Sequence, residues 1–413
     1  SNTVDNYMVD LTKDTLKYAF NRKFTVHAGA KRASVAKEDL PAKYGDLLHH
    51  SLGEPSVIYV HIPFCQTKCL YCGFAGARPT AARNREYMDA LIREAKFIGE
   101  IEQAGKTPIR AVYFGGGTPS AMAPELMGEF IAVLKESFNL ANDCEITLEG
   151  RVSDMRQAEG FTKAGFSRFS IGVQSFHTDI RRRLGRINTR EEVIEILSAL
   201  VNLQAAAIII DLIYGLPGQT VAHFIEDLLL AEELGLDGLD TYQLNVFPDS
   251  TLAKAIEAGK VPHAAKLEEQ GAYYAAACEH LTGRRWHQLS ISHYGRTSRE
   301  RNIYNPWAKS DGNCIALGAG AGGKLSGYST YRTPIVEKYM EMAKSGIFVP
   351  DAISMPSPLQ KLNAVIVTQI EKGFFNYGNV LKHFDIASGE FEKLLENWRK
   401  AGLIEMRGDE SFD

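Results

Sequence analysis

The 413-residue chain reads as an α/β protein: six parallel strand–helix units in a row, followed by a smaller mixed appendage. Short β-branched runs alternate with amphipathic stretches, chemically capable residues fall just past the ends of those runs, and the composition changes after Pro356-Ser-Pro358. Six strands, each followed by a helix, fit a partial (β/α)6 barrel of TIM type. The length accommodates such a barrel together with one or two smaller domains.

In chain order, residues 1–55 are polar, carry several Lys and Arg, and show few periodic segments; they read as an N-terminal arm that orders over the site. Strands are expected at 57–62, 109–114, 144–149, 168–172, 207–213 and 239–246, within a barrel core spanning 56–250. Tyr87, Leu91, Ile98 and Ile101 recur near the 3.6 period and mark a helix between the first two strands. Thr189-Arg-Glu-Glu192 reads as a capping box opening another. A barrel-associated extension covers 251–350, with a helix at 264–281, a basic and aromatic stretch at 284–305 and a Gly-rich loop at 318–323. Helical patterns near 359–371 and 391–401, then Gly402-Leu-Ile-Glu-Met-Arg-Gly408, indicate a winged-helix-like α/β appendage over 351–413. That appendage carries ten acidic and seven basic residues, which favours a lid or docking module over a DNA reader.

Charge excludes some functions. The 46 Lys and Arg against 50 Asp and Glu give a net charge of −4, which argues against nucleic-acid binding. No apolar run approaches the roughly 18–20 residues that cross a bilayer, and no secretory signal pattern opens the chain, so a cytoplasmic location without a membrane span is expected. Cys144, Cys278 and Cys314 lie far apart in apolar or Gly-rich contexts and read as buried free thiols.

The other three cysteines carry the chemistry. His61-Ile-Pro-Phe-Cys65-Gln-Thr-Lys-Cys69-Leu-Tyr-Cys72-Gly-Phe74 has the spacing C-x3-C-x2-C, three thiolates where a closed zinc site or fully ligated cluster wants four. A cubane held at three corners leaves one iron open to a small chelating molecule; the alternative is a zinc knuckle that borrows a distant histidine. From about Val57 to the C-terminus the chain resembles the radical S-adenosylmethionine (SAM) enzymes, in the branch containing oxygen-independent coproporphyrinogen III oxidase. The resemblance implies a partial barrel of the radical SAM type and a [4Fe–4S] cluster held by Cys65, Cys69 and Cys72. It also implies that the open iron binds the amino and carboxylate groups of SAM, whose reductive cleavage gives a 5'-deoxyadenosyl radical.

Gly115-Gly-Gly-Thr118-Pro119 follows a strand, and its missing side chains allow a ligand to approach the backbone. The resemblance makes Gly116, Gly117 and Thr118 contacts of SAM, with Tyr59, Tyr71, Glu149, Gln174, Arg186, Asp211 and Asn245 as further SAM-binding positions. His61 is either a substrate-side proton donor or a hydrogen-bond partner of the cluster loop. Lys68 reads as a solvated lysine, although a positive group there would raise the cluster's potential.

Branch-specific residues address the substrate. Gly73-Phe74 follows the third cysteine, Glu149-Gly150-Arg151 ends the third strand, and Arg296-Thr-Ser-Arg299-Glu-Arg301-Asn-Ile-Tyr304-Asn305 comes later. These resemble the anaerobic, anaerobilin-forming heme-utilisation branch. The resemblance implies a C-methyltransferase that opens heme without oxygen, yields a linear tetrapyrrole and frees iron. Its electrons come from a reducing donor such as a flavodoxin. Arg151 is the preferred partner for a heme propionate, with Arg296, Arg299 or Arg301 as others. His27, His287 and His293 are candidate axial ligands. Arg181-Arg-Arg183 reads as a solvated face. Decarboxylation of coproporphyrinogen III and intact heme delivery by a chaperone remain as rivals.

Overall fold

The computed structural model describes residues 8–14, 32–65, 80–357, 360–378, 380, 388–408 and 411–412. Six parallel strands lie in sequence order within one sheet: β1 (Ser56–Ile62), β2 (Pro108–Gly116), β3 (Asn139–Arg151), β4 (Arg168–Gln174), β5 (Ala207–Tyr214) and β6 (Gly238–Gln243). Helices Ala81–Gly99, Pro124–Ser137, Ala158–Ala164, Arg190–Asn202 and Val221–Glu233 connect them. Sequential order with a helix in every crossover is the winding of a barrel.

The sheet grows at both edges instead of closing. On one side β6 pairs antiparallel with β8 (His293–Gly295), which pairs with β7 (His287–Gln288). On the other, β9 (Asn313–Leu317) runs parallel to β1, followed by antiparallel β10 (Gly322–Leu325), β11 (Tyr328–Tyr331) and β12 (Ala352–Ser354). The result is a partial barrel.

Capping fixes several helix starts. The Thr80 hydroxyl accepts from the Arg83 amide, and Thr220 with His223 forms a reciprocal capping box. Thr189 caps the Glu192 amide, but the Glu192 carboxylate accepts from Asn188 Nδ2.

Some boundaries differ from the sequence expectation. The helix carrying Tyr87 ends at Gly99, because it crosses the helix Pro124–Ser137 there; a Cβ on Gly99 would lie 2.9 Å from Ser137 Cβ. Strand β6 stops at Gln243, opposite Tyr214, the last residue of its neighbour β5. In the segment read as an arm, Leu40–Ser51 is a helix that buries Leu40, Tyr44, Leu47 and Leu48 in the main core.

The chain forms two compact units, Ser34–Met355 and the combination of residues 1–33 with 356–413. In the second unit, helices Gln360–Glu371 and Ser388–Lys400 accompany a small antiparallel sheet of β13 (Phe375–Asn376), β14 (Met406–Arg407) and β15 (Ser411–Phe412) in the order β13-β15-β14. Leu362, Phe375, Val380 and Leu395 form its core. The Asn397 side chain accepts from the Val9 amide and donates to the Val9 carbonyl.

Candidate active site

Strand period two sorts the barrel into an oily outer face and a polar inner one. Ile58, Val60, Ile62, Val112, Phe114, Leu148, Phe169, Ile171, Ile210 and Leu212 are buried in the core that also contains Tyr87, Leu91, Phe130 and Leu197 of the helices. The alternate positions carry Tyr59 and His61 on β1, Tyr113 on β2, Thr147 and Glu149 on β3, Arg168 and Gln174 on β4, Asp211 on β5, and Asp240 and Tyr242 on β6. A closed barrel normally fills this space with Val, Ile and Leu. Here Tyr59, Tyr113, Glu149, Gly172 and Asp211 stay partly accessible in strands otherwise largely buried, so the inner face lines a chamber.

At the C-terminal ends of β1 and β2 the backbones come together without side chains between them. The Gly117 amide donates to the Ile62 carbonyl and the Thr118 amide to the Phe64 carbonyl. A Cβ on Gly117 would stand 2.5 Å from Phe64 O and 2.6 Å from Cys65 Sγ. Gly116 has φ +123°, where an L side chain is strained. The glycine run therefore seats the stem of the cysteine loop. Cys69, Cys72, Tyr71 and Lys68 lie outside the described residues, as does His27.

His61 faces the chamber beside this seat. Its Nδ1 is 2.8 Å from the Tyr59 hydroxyl, and burial lowers its pKa below the usual histidine value, which keeps the ring neutral near pH 7. The Tyr87 hydroxyl donates to the His61 carbonyl and accepts from the Ala319 amide. Glu94, paired with Arg332, accepts from the Gly318 amide and Tyr339, tying the Gly-rich loop to the same end of the barrel.

The carboxylates sit one layer down. Burial pushes Glu149 up to about 7; the Tyr113 hydroxyl, donating at 2.8 Å, opposes the rise and Asp240 adds to it. Asp211 lies well above the usual carboxylate range, first through burial and then through Asp240 and Glu149. Asp211 Oδ1 and Gln174 Oε1 are buried and have no hydrogen-bond partner among the described residues. Orphaned acceptors need a donor, and SAM offers an ammonium and two ribose hydroxyls. Three thiolates on a glycine-seated loop suit a cluster with one open iron. The residues present fit both groups.

Gln174 is held in an uncommon conformation, φ +67°, beside a register shift in β4. Its flanks are clamped by Arg181, whose guanidinium donates to the Val173, Ser175 and Asn188 carbonyls. Asp227 accepts from the Ser175 hydroxyl and the Phe176 amide. Arg181 is thus 1% exposed, and the solvated-face reading of Arg181-Arg-Arg183 is corrected: a charge run gives no sign that one member turns inward to bind carbonyls.

Segment 293–304 overturns further expectations. It crosses the N-terminal end of the barrel, from Asp237, which accepts from Arg296 N and Thr297 Oγ1, to Glu145, which accepts from the Ile303 and Tyr304 amides. Arg296 donates to the Leu236 carbonyl and Arg301 to the Asp143 carbonyl, while the Arg299 amide donates to Thr297. All three arginines therefore sit at the floor, away from the rim, and are withdrawn as propionate partners. His293 is withdrawn as an axial ligand, since its Nδ1 and Nε2 each lie 2.8 Å from a carboxylate oxygen, of Asp240 and Glu300. Arg151 does stand at the rim, where Asp154 binds its guanidinium through both oxygens. Asn245 is exposed just past β6, and His287 is exposed on β7.

The His293 bridge has a measurable signature. Burial alone lowers its pKa, but Asp240 and Glu300 carry it up to about 9. A raised histidine stabilises the fold fully below its unfolded value near 6.5 and loses that contribution as pH rises through about 9. We expect unfolding stability to fall by roughly 1–3 kcal/mol between neutral pH and about pH 10 through this group. His293→Gln is expected to flatten that part of the profile in denaturant titrations.

Tyr113, Asp240, Tyr242 and Glu300 were not singled out from sequence, and His293 only as a heme ligand. The polar alternation inside the strands was the available signal for the first three. Nothing local marks Glu300, whose partner Arg168 is 132 residues away.

The model for the Radical SAM superfamily matches residues 59–231. Anaerobilin synthase of Escherichia coli O157:H7 is 40% identical over 315 residues, 76% of this chain and 71% of that protein. The heme chaperone HemW of Bacillus subtilis (strain 168) is 28% identical over 290 residues, 69% of this chain and 75% of that one. Among solved structures, coproporphyrinogen III oxidase (HemN) from Escherichia coli aligns with a TM-score of 0.78 at 20% identity, covering 99% of this chain and 95% of its own.

Proposed function

The chain belongs to the radical SAM superfamily, and from that premise we propose that it opens the heme macrocycle without oxygen, giving a linear tetrapyrrole and free iron. Its cofactors are those of the superfamily, a [4Fe–4S] cluster and SAM. The observation that carries the heme reading is the 40% identity to an anaerobilin synthase across 71% of that protein. The 28% identity to the HemW chaperone is a weaker likeness, and the 20% match to coproporphyrinogen III oxidase speaks for the fold alone.

In this reading Cys65, Cys69 and Cys72 hold the cluster, leaving one iron for SAM. Gly116, Gly117 and Thr118 give SAM close access to backbone, and Tyr59, Tyr71, Glu149, Gln174, Arg186, Asp211 and Asn245 complete its contacts. Bound SAM supplies radical chemistry, which an aromatic meso carbon requires because no side-chain acid or base breaks that ring. His61, fixed by Tyr59, stands in the chamber as a proton donor or acceptor toward the tetrapyrrole. Arg151, held at the rim by Asp154, is the guanidinium we assign to a propionate. Ile187, 85% exposed after β4, and Phe247, 54% exposed after β6, add apolar surface on the loops at that end of the barrel, as a porphyrin face wants. A low-potential donor such as a flavodoxin supplies electrons.

With SAM, reductant and heme under anaerobic conditions, the reconstituted protein is expected to bleach the Soret band and release chelatable iron. Intact transfer of heme to an apo-acceptor would make it a chaperone. Carbon dioxide from coproporphyrinogen III would make it a decarboxylase.

A further inference from the structure

We propose that Asp211 and Asp240 hold one proton between them, that the Arg168–Glu300–His293–Asp240 chain directs it onto Asp211, and that Asp211 therefore meets bound SAM as an uncharged carboxylic acid. The placement of SAM over Asp211 rests on the cofactor reading above; the proton itself is a property of the chain.

Geometry forces the proton. Asp211 and Asp240 are register partners on β5 and β6, so their carboxyl groups project side by side from neighbouring strands, and after burial Asp240 does most to raise Asp211 above the usual carboxylate range. Two carboxylates in that relation cannot both be ionised. Asp211 Oδ1 is buried and has no hydrogen-bond partner among the described residues.

The chain behind Asp240 decides which acid keeps the proton. Arg168 grips Glu300 with both arms, Nε to Oε1 at 3.1 Å and Nη2 to Oε2 at 2.8 Å. Glu300 Oε2 then faces His293 Nε2, and His293 Nδ1 faces Asp240 Oδ1. A neutral imidazole has a single N–H, so a ring between two carboxylates must carry both hydrogens and a positive charge. The four groups alternate plus, minus, plus, minus and sum to zero. His293 pins the negative charge on Asp240, and the proton of the pair falls to Asp211. Burial would raise the Glu300 carboxyl, but His293 and Arg168 hold it near 2, as the chain requires.

The groups facing Asp211 deepen the bias. Asp240 lies beside it, Glu149 is a further acid that raises it, and Arg168 opposes them with positive charge. With its hydroxyl committed to Asp240, the other oxygen of Asp211 remains as a neutral carbonyl acceptor. It suits one ribose hydroxyl of SAM and does not repel the methionyl carboxylate. The positioning residues for this arrangement are Asp240, His293 and Glu300.

Asparagine mimics such an acid, with a carbonyl oxygen toward the ligand and a donor toward Asp240. We expect Asp211→Asn, in cluster-loaded full-length protein, to bind SAM within about threefold of wild type by equilibrium dialysis, and Asp211→Leu to lose roughly tenfold or more. A loss of about tenfold or more in Asp211→Asn would overturn the proposal, because an anion would then have been removed. Infrared spectroscopy reads the proton without SAM or substrate. At about pH 8.5, above the range of Glu149, a protonated-carboxyl C=O band is expected in the wild type and absent from Asp211→Asn. Lack of that band in the wild type overturns the proposal even if no variant folds. Failure of wild-type protein to bind SAM at all would instead sink the cofactor placement, with the band still present.

Discussion

Replacing Cys65, Cys69 or Cys72 by alanine is expected to abolish the cluster and lower 5'-deoxyadenosine formation by roughly a thousandfold or more, to background. A cubane anchored by three thiolates has no protein ligand to spare, since its fourth iron is reserved for SAM. The contrast lies in the other cysteines. Burial pushes the Cys144 thiol up to about 12 and the Cys314 thiol up to about 11, so neither is a thiolate at neutral pH. Cys278 is within hydrogen-bond distance of the Tyr294 hydroxyl, 2.9 Å away. Alanine at Cys144, Cys278 or Cys314 is therefore expected to leave cluster content intact. Iron and sulfide analysis with low-temperature EPR of anaerobically reconstituted protein separates the two groups. Full cluster content in any of the first three variants would remove the three-thiolate argument.

Gly117→Ala is expected to have the next largest effect. Its added methyl would sit 2.5 Å from the Phe64 carbonyl and 2.6 Å from Cys65 Sγ, with backbone on one side and a cluster ligand on the other. Relief requires pulling the cysteine stem away from β2, which breaks the hydrogen bonds from the Gly117 amide to the Ile62 carbonyl and from the Thr118 amide to the Phe64 carbonyl. We expect about a tenfold or greater loss of cluster occupancy and SAM binding, consistent with overpacking and lost hydrogen bonds that together cost a few kcal/mol. Gly105→Ala, where nothing lies within 4 Å of the new Cβ, serves as the neutral control. Unchanged cluster occupancy in Gly117→Ala would show that the stem moves freely.

Local signals were legible in the sequence. The cysteine spacing, the glycine triplet and the β-branched runs all state their meaning within a few residues, and the six parallel strands lie where that pattern puts them, within a few residues at each end. What needed the structure was long-range. Strand β9 pairs with β1 across more than 250 residues, and its neighbours β10 to β12 are only three or four residues long, too short to show a period. The floor is built by Glu300 reaching Arg168 and by Glu145 accepting from Ile303 and Tyr304. In sequence, Arg296, Arg299 and Arg301 look like an anion-binding cluster; in space Arg296 and Arg301 fasten that floor through the Leu236 and Asp143 carbonyls. Arg181 shows the same limit, since its carbonyl partners are set by the bend after β4. The helix Leu40–Ser51 is different: Leu40, Tyr44, Leu47 and Leu48 do follow the helical period, and the polar residues between them concealed it.

A single isotope experiment tests the heme-opening account most directly. Anaerobic turnover of heme with SAM carrying carbon-13 in its methyl group should yield a linear tetrapyrrole whose mass includes one labelled carbon, together with 5'-deoxyadenosine. Recovery of unaltered heme, or of a tetrapyrrole without the label while deoxyadenosine accumulates, would contradict it.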